Sequence, residues 1–257
     1  MSGGALILTY HAIEEGPAPL CVEPALFERH LDCIVAAGSR TVTVATLAEA
    51  VRRGERLDGL VAITFDDGFA SVARTAWPLL AERGLTATVF CVAGYLGGAN
   101  DWPTQATGAP RLPLADAASL TALAAEGVEL GAHGSTHAPL NGGDSDVLDR
   151  ELAGARRSLE DELGAEVRTL AWPYGVRSEA AERAARAAGY LAACTASPGR
   201  VQAGAALLAL PRVDAHYVRR PALLRAVLRG SPYLGARRVA ARARRLLRKD
   251  YVAGATR

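Results

Sequence analysis

The chain has 257 residues, of which half are hydrophobic and 22% are charged, so a disordered polymer is excluded and a buried core is expected. Its four cysteines, Cys21, Cys33, Cys91 and Cys194, form no CxxC pair, which argues against a zinc ribbon or a disulfide framework. Twelve of the 29 basic residues but one of the 27 acidic residues lie between Val218 and Arg257, so an acidic body precedes a basic tail.

Short apolar runs alternate with helical patterns along the chain. The predicted strands are Ala5–Thr9, Thr41–Val44, Leu60–Phe65, Thr86–Val92, Val128–Ala132, Thr169–Ala171, Leu191–Thr195 and Leu207–Val213. The predicted helices are Pro24–Ala37, Thr46–Arg53, Ser71–Arg83, Ala115–Glu126, Asp144–Leu163 and Ser178–Ala188, each followed by a glycine. Apolar strands without alternation are typical of a parallel sheet that is covered on both faces. The pattern predicts a barrel or a doubly wound sheet, and the seven or eight strands favour the barrel.

In either architecture, functional side chains follow the carboxyl ends of the strands. An irregular stretch from Gly94 to Pro113 is a candidate lid or binding loop, because loops this long are uncommon inside a domain. Neither GxxxxGK[ST] nor GxGxxG occurs, so nucleotide chemistry has no support. The first ten residues lack the features of a secretory signal, and no apolar run reaches the roughly 18 residues of a membrane span. We expect a cytoplasmic protein.

Two carboxylates, Asp66 and Asp67, come directly after the predicted strand Leu60–Phe65. Adjacent carboxylates raise each other's pKa unless a cation lies between them. The alternative is a simple turn, since Asp-Gly is a common turn pair.

Two histidines, His133 and His137, follow the strand Val128–Ala132. Imidazoles four residues apart can meet one metal ion on a helical turn, and a carboxylate would complete a set with open positions for water and substrate. The alternative is a pair of surface histidines in a loop. The combination with Asp66 and Asp67 favours the metal site.

Three more strand ends carry candidate residues. The turn at Trp172, Pro173 and Tyr174 could present a backbone N–H to an oxyanion and an aromatic wall to a sugar, or could plug the core. His11 could be structural or catalytic. Arg212 could pair with the acidic body or orient one of the aspartates.

Together these motifs resemble the polysaccharide deacetylase family, the NodB homology domain of carbohydrate esterase family 4. Thr64–Gly68 matches the first motif, and His133–His137 matches the second, with Gly134 where a serine or threonine often stands. Ala171–Gly175 is similar to the third motif without its usual arginine. The motif order covers roughly residues 5 to 215, and three motifs recur in order.

The resemblance implies a distorted (β/α)7-type barrel at residues 1–217. The charge pattern adds a basic helical C-terminal tail at residues 218–257. The resemblance also implies that Asp67, His133 and His137 bind a divalent metal, usually zinc, with cobalt or nickel also suited to the ligands.

Further roles follow from the same resemblance. Asp66 would be the general base, and the Tyr174 amide would hold the oxyanion within a substrate-binding turn that includes Trp172 and Pro173. Since the usual arginine is missing, we nominate Arg212 as the partner of Asp66. The late Leu-x-His motif is not clear around His216, and one branch of the family uses a histidine after an N-terminal tyrosine. We therefore prefer His11 to His216 as the general acid.

The expected function is a metal-dependent hydrolase that removes acetyl groups from N-acetylated sugars or glycans, releasing acetate and a free amine. The alternatives are a hydrolase of another amide or imide and a non-catalytic carbohydrate-binding relative. The tail predicts a helix with Val239, Ala243, Leu246 and Leu247 on one face and arginines around the rest. Such a helix could pack on the acidic body or lie on an anionic membrane surface, which would make the protein peripheral; nucleic-acid binding is not expected.

Overall fold

The computed structural model describes residues 3–236 and Val239. Its strands all pair in parallel and form one sheet in the order β7–β6–β5–β4–β3–β1–β8, with β2 beside β3. The strands are β1 (Leu6–Tyr10), β2 (Arg40–Thr41), β3 (Leu60–Phe65), β4 (Thr88–Cys91), β5 (Glu129–Ala132), β6 (Thr169–Ala171), β7 (Ala192–Cys194) and β8 (Val213–Asp214).

Most of the helices pack on the outside of the sheet, whereas the helix over Val44–Arg52 packs against its inner face. The helices are α1 (Pro24–Ala36), α2 (Val44–Arg52), α3 (Trp77–Ala81), α4 (Ala117–Ala125), α5 (Ser145–Asp149), α6 (Ala155–Leu163), α7 (Glu179–Ala187) and α8 (Pro221–Leu228). One π-helical turn, Val72–Ala76, leads into α3, and another, Arg150–Gly154, joins α5 to α6. The alternation of parallel strands with helices matches the prediction.

The two edges of the sheet are joined by the segment Leu210–Val213, which contacts the strand at each edge. Leu210 forms a parallel bridge with Cys194, the last residue of β7, and Val213 of β8 pairs with Leu8 of β1. The sheet therefore curls into a distorted barrel, and this prediction is confirmed. The carboxyl ends of its strands meet at one end of the barrel.

Two predicted strands were wrong in part. Thr43 caps α2 through a hydrogen bond from the Thr46 amide to its hydroxyl, 3.1 Å long, so the helix begins at Val44 and the strand ends at Thr41. The expected strand Leu207–Val213 begins instead with a 3-10 turn over Leu207–Ala209. Pro211 then has no backbone N–H to donate to a neighbouring strand, so β8 contains two residues.

The first part of the basic tail belongs to the packed molecule. Leu224 and Val227 of α8 and Leu234 beyond it are buried in the main hydrophobic core. Most of the predicted arginine-rich helix, at residues 237, 238 and 240–257, lies outside the described residues. Within the described part of the chain, no helix has the length and apolar character to cross a membrane.

Candidate metal centre

The barrel brings the predicted residues to one cavity at the carboxyl ends of its strands. Asp66 and Asp67 follow β3, His133 follows β5, and His11 follows β1. Together with His137, Arg212 and Tyr174 they line a cavity of about 290 Å³. Residues that are separated by up to 200 positions in sequence thus share one site because parallel strands end at the same face.

Three side chains converge closely enough to hold one ion. The Nε2 atoms of His133 and His137 lie 3.2 Å apart, and each lies close to Asp67 Oδ1, at 3.4 and 3.3 Å respectively. A tetrahedral zinc ion with ligands at about 2.1 Å requires ligand atoms about 3.4 Å apart. The three donor atoms therefore have the spacing of three corners of a zinc tetrahedron.

The protonation of His133 suits a metal ligand. Its Nδ1 donates to the Ala171 carbonyl, 2.7 Å away, which leaves the Nε2 lone pair directed at the cluster. Burial, together with the neighbouring His137, lowers the pKa of His133 from its usual 6.5 to about 4, although Asp66 and Asp67 act to raise it. The imidazole is therefore neutral near pH 7, the form that binds metals.

Asp67 Oδ1 is buried and has no hydrogen-bond partner among the described residues. A buried carboxylate oxygen without a partner is costly, and a cation at this position would satisfy it. Two imidazoles and one carboxylate are ligands that zinc, cobalt and nickel accept. The residues present fit a divalent transition metal.

Asp66 is held in an ion pair beside this cluster. Its two carboxylate oxygens accept hydrogen bonds from Arg212 Nη1 and Nη2, at 2.6 and 2.7 Å, and Arg212 Nε donates to the Thr195 carbonyl at 3.0 Å. Burial alone would raise the pKa of Asp66, but the Arg212 guanidinium outweighs it and holds the pKa well below its usual range. Asp66 Oδ2 lies 3.9 Å from His133 Nε2, so the ionised carboxylate adjoins the ligands.

Backbone strain is concentrated at the same place. Among the described residues other than glycine, three have positive φ: Asp67 at 71°, His137 at 57° and Tyr174 at 57°. All three line the cavity. Left-handed backbone at a non-glycine residue costs free energy and is found mostly where function requires it.

His137, the second histidine of this cluster, is enclosed by aromatic rings from two loops. Trp102, in the long loop between β4 and α4, stacks on His137 with ring centroids 4.4 Å apart, and Tyr174 meets the imidazole edge to face at 4.6 Å. Thr104 of the same loop donates to the His137 carbonyl, at 3.1 Å, and its own carbonyl accepts from the Tyr174 hydroxyl, at 2.8 Å. The predicted loop from Gly94 to Pro113 therefore forms a wall of the site.

The remaining predicted residues are placed differently from one another. His11 lines the cavity, whereas His216 does not; it is exposed, and its ring meets that of Tyr217 edge to face. Trp172 also lines the cavity, although its ring is buried and donates from Nε1 to the Leu208 carbonyl, at 2.9 Å. Pro173 is also buried. The roles assigned to these residues stay predictions.

One charged residue near the site has no counterpart in the sequence predictions. Glu151 lies within the predicted helix Asp144–Leu163, where a carboxylate is usually a solvent-facing residue. In the structure it is buried and contacts the loop between the two histidines. No sequence signal distinguishes it from the other acidic residues of that helix.

Comparisons with known proteins give a consistent result. The sequence model of a family described as polysaccharide deacetylase matches residues 53–193. YxkH of Bacillus subtilis (strain 168), which is named as a polysaccharide deacetylase, is 25% identical over 208 residues, covering 80% of this chain and 70% of YxkH.

Two solved structures share the fold. IcaB from Ammonifex degensii superposes with a TM-score of 0.73 at 23% identity, over 88% of this chain and 98% of IcaB. The Streptococcus pyogenes deacetylase PplD in complex with acetate superposes with a TM-score of 0.70 at 23% identity, over 82% of this chain and 92% of PplD.

Proposed function

Because the chain belongs to the polysaccharide deacetylase family, we propose that it is a metal-dependent hydrolase of N-acetylated sugars or glycans, releasing acetate and a free amine. The observation that carries this proposal is the convergence of Asp67, His133 and His137. Their ligand atoms lie within 4.8 Å of one another, beside an ion-paired aspartate in a cavity.

Asp67, His133 and His137 would hold the metal, with zinc as the first choice and cobalt or nickel as alternatives. A divalent cation bound there would supply a Lewis acid for the acetyl carbonyl and would make water acidic enough to attack near neutral pH. The neutral imidazoles leave part of the positive charge of the cation uncompensated, which this chemistry needs.

Asp66 is the proposed general base. Its pairing with Arg212 keeps it ionised, and both carboxylate oxygens retain lone pairs that can accept a proton from the attacking water. Arg212 fixes the direction of that carboxylate through two parallel hydrogen bonds. The two adjacent aspartates therefore have different proposed roles. Asp67 lies against the two histidines as a metal ligand, and Asp66 lies against Arg212 as the base.

His11 is the proposed general acid, because it lines the cavity and His216 does not. In this role His11 would donate a proton to the departing amine. The backbone amide of Tyr174 is the proposed donor to the oxyanion, since its strained turn lines the same cavity. Removing one such donor typically costs roughly 3–4 kcal/mol of transition-state stabilisation.

The form of the cavity supports a sugar substrate. Its volume of about 290 Å³ is near the lower end for ligand sites, which suits one acetylated ring more than a large ligand. Tyr174 and Tyr217 are about half exposed and line it, and exposed aromatic faces at a cleft are suited to stacking against a ring.

Two other expectations remain proposals. A cytoplasmic location stays a prediction. Contact of residues 218–257 with an anionic membrane gains no support from the described residues, because α8 directs its apolar side chains into the core.

The test is acetate release from a panel of N-acetylated and O-acetylated sugars and oligosaccharides, before and after removal of metal with a chelator. We expect release from N-acetylated substrates that stops on chelation and returns with zinc. Undiminished hydrolysis by rigorously metal-free protein would refute the metal-dependent scheme. Hydrolysis confined to other amides, or sugar binding without turnover, would favour the alternative functions.

A further inference from the structure

Glu151 is a buried carboxylate that the proposed reaction does not use. Among the described residues only Asp66, Asp67 and Glu151 combine a carboxylate with burial, and Glu151 is 0% exposed. Burial of a carboxylate costs several kcal/mol unless hydrogen bonds or charges compensate it. The groups that compensate Glu151 therefore indicate what holds it in place.

Those groups belong to the loop between the two histidines. Glu151 Oε2 accepts hydrogen bonds from the backbone amides of Ser135 and Thr136, each 2.9 Å long, and Oε1 accepts from the Thr136 hydroxyl at 2.6 Å. Arg150 is the one cation that forms an ion pair with Glu151 in the described part of the chain; it is 3.7 Å away and mostly exposed. Two successive amides directed at one oxygen form an anion-binding turn.

The opposite side of this loop is also fixed. The amides of Ala93 and Gly94 donate to the carbonyls of Gly134 and Ser135, at 3.0 and 2.9 Å. Gly134 has a φ of +80°, and a Cβ there would lie 3.0 Å from Glu151 Oε2. The loop is therefore held on its amide side by a carboxylate and on its carbonyl side by two backbone donors.

The ends of the held segment are the two histidine ligands, His133 and His137. His137 keeps a left-handed backbone, with a φ of 57°, which requires support from its surroundings. We propose that Glu151 is a positioning residue of the metal centre, which sets the spacing of the two imidazoles through the Ser135 and Thr136 amides. The inference rests on the metal dependence of the proposed function.

Removal of the Glu151 carboxylate would leave the partly buried Ser135 and Thr136 amides and the Thr136 hydroxyl without this acceptor. Loss of such an outer partner typically weakens metal binding about 10–100-fold. We expect this loss for Glu151→Ala in a zinc titration against a competing chelator, and an altered visible absorption spectrum for the cobalt-loaded variant. Glu151→Gln keeps one accepting oxygen, so its affinity should lie between those of Glu151→Ala and the wild type. Glu162→Ala, which removes an exposed carboxylate from α6, directly after the π-helical turn that contains Glu151, is the matched control.

If Glu151 positions the metal centre, its removal should also affect kcat and KM in a specific way. At saturating zinc, Glu151→Ala should keep the wild-type KM for the sugar, because Glu151 does not line the cavity, and should have a lower kcat, because the spacing of the two imidazoles is no longer fixed. Equal zinc affinity in wild type, Glu151→Gln and Glu151→Ala would overturn the proposal. If Glu151→Ala does not fold, Glu151→Gln decides by the same titration.

Failure of the proposed function would be seen separately. If the wild type takes up no metal, that function fails, and hydrogen exchange at the Ser135 and Thr136 amides decides the role of Glu151. Faster exchange at both amides in metal-free Glu151→Ala, with other loops unchanged, would support the positioning role. Unchanged exchange there would overturn it.

Discussion

At the scale of single residues, Asp66 and Asp67 have different environments although they are neighbours in sequence. Asp66→Asn should retain metal and lose turnover by about 10²–10⁴-fold, since the proton acceptor is removed while the three ligands remain. Metal content by mass spectrometry and kcat on an N-acetylated sugar measure the two effects. A variant that keeps wild-type kcat would exclude Asp66 as the base.

The same substitution has a cost in stability that must be separated from its effect on catalysis. Arg212 would stay charged and buried without its counterion, and breaking a buried pair costs about 3 kcal/mol or more. Activity should therefore be measured well below the Tm of the variant.

His133→Ala is the contrasting variant. It removes one of the three ligands while leaving the Asp66–Arg212 pair intact, so we expect loss of metal and of activity together. Metal analysis after exhaustive dialysis and reloading measures the first loss, and acetate release measures the second. Full metal occupancy in His133→Ala would contradict the ligand assignment.

The sequence was sufficient to predict that the proposed ligands lie close together, because each of them follows a predicted strand. Strand ends alone do not separate His11 from His216, since both residues follow strands, and the preference for His11 came from the family resemblance. The sequence also could not identify Glu151, because a helical pattern that contains several acidic residues does not show which carboxylate is buried and bonded to another loop.

At the scale of elements, the long loop between β4 and α4 is held by the side chain of Asn100. This buried amide accepts from the Leu112 amide, at 2.6 Å, and donates to the Pro110 carbonyl, at 3.0 Å. The loop carries Trp102 and Thr104, which contact the second histidine. The loop length was visible in the sequence, but these contacts were not.

Asn100→Ala should therefore loosen the wall of the cavity. We expect a loss of about 2 kcal/mol in unfolding free energy, because a backbone N–H and a carbonyl lose their partner, and a larger KM for the sugar. Urea unfolding and steady-state kinetics measure the two effects. Asp101→Ala, at an exposed position of the same loop, is the control. Equal KM in Asn100→Ala and wild type would show that the loop does not shape the substrate site.

Another buried histidine links three elements of the barrel. His30 of α1 donates from Nε2 to the Arg219 carbonyl and accepts at Nδ1 from the Tyr10 hydroxyl of β1, both at 3.0 Å. Burial lowers the pKa of His30 below its ordinary value of 6.5, and Arg29 and Arg219 lower it further, against the raising effect of the hydrogen bond to the Arg219 carbonyl. The unfolded chain therefore takes up this proton at a higher pH than the folded protein does.

The stability that neutral His30 supplies is complete above pH 6.5 and is lost as pH falls through the folded pKa. We expect His30→Gln to be less stable than wild type at pH 8, and the difference to narrow on acidification by at most about 1.4 kcal/mol per pH unit. Chemical unfolding of metal-free protein between pH 8 and pH 5 measures it. The exposed His216 provides the control variant His216→Gln. A difference that stays constant with pH would refute the linkage.

For the elements themselves, the strands Leu60–Phe65 and Thr169–Ala171 were predicted with their observed bounds. The errors at Thr41–Val44 and Leu207–Val213 have local causes, a threonine cap and a proline. Hydrophobic patterning identifies buried strands, but helix caps and the backbone N–H groups available for pairing decide where each strand begins and ends.

At the scale of the whole molecule, the predicted boundary at residue 217 falls within a shared core. Leu224, Val227 and Leu234 all lie beyond that boundary and are buried against the barrel, and Arg200 donates to the carbonyls of Val227 and Leu228. Charge composition suggested a separate tail, because the arginines of this segment are conspicuous in sequence and its few buried apolar residues are not.

A chain that ends at Tyr217 should therefore be unfolded or nearly so, whereas one that ends at Ala236 should unfold like the full-length protein. Burial of an aliphatic side chain contributes roughly 1.5–3 kcal/mol, so the loss of Leu224, Val227 and Leu234 approaches the whole stability of an ordinary domain. Thermal unfolding of the three chains by circular dichroism measures this. Equal Tm values for all three would show that the barrel is complete at Tyr217. The chain ending at Ala236 keeps Leu224, Val227 and Leu234, so it is compared with the full-length protein in co-sedimentation with anionic vesicles. Equal binding of both chains would end the membrane prediction.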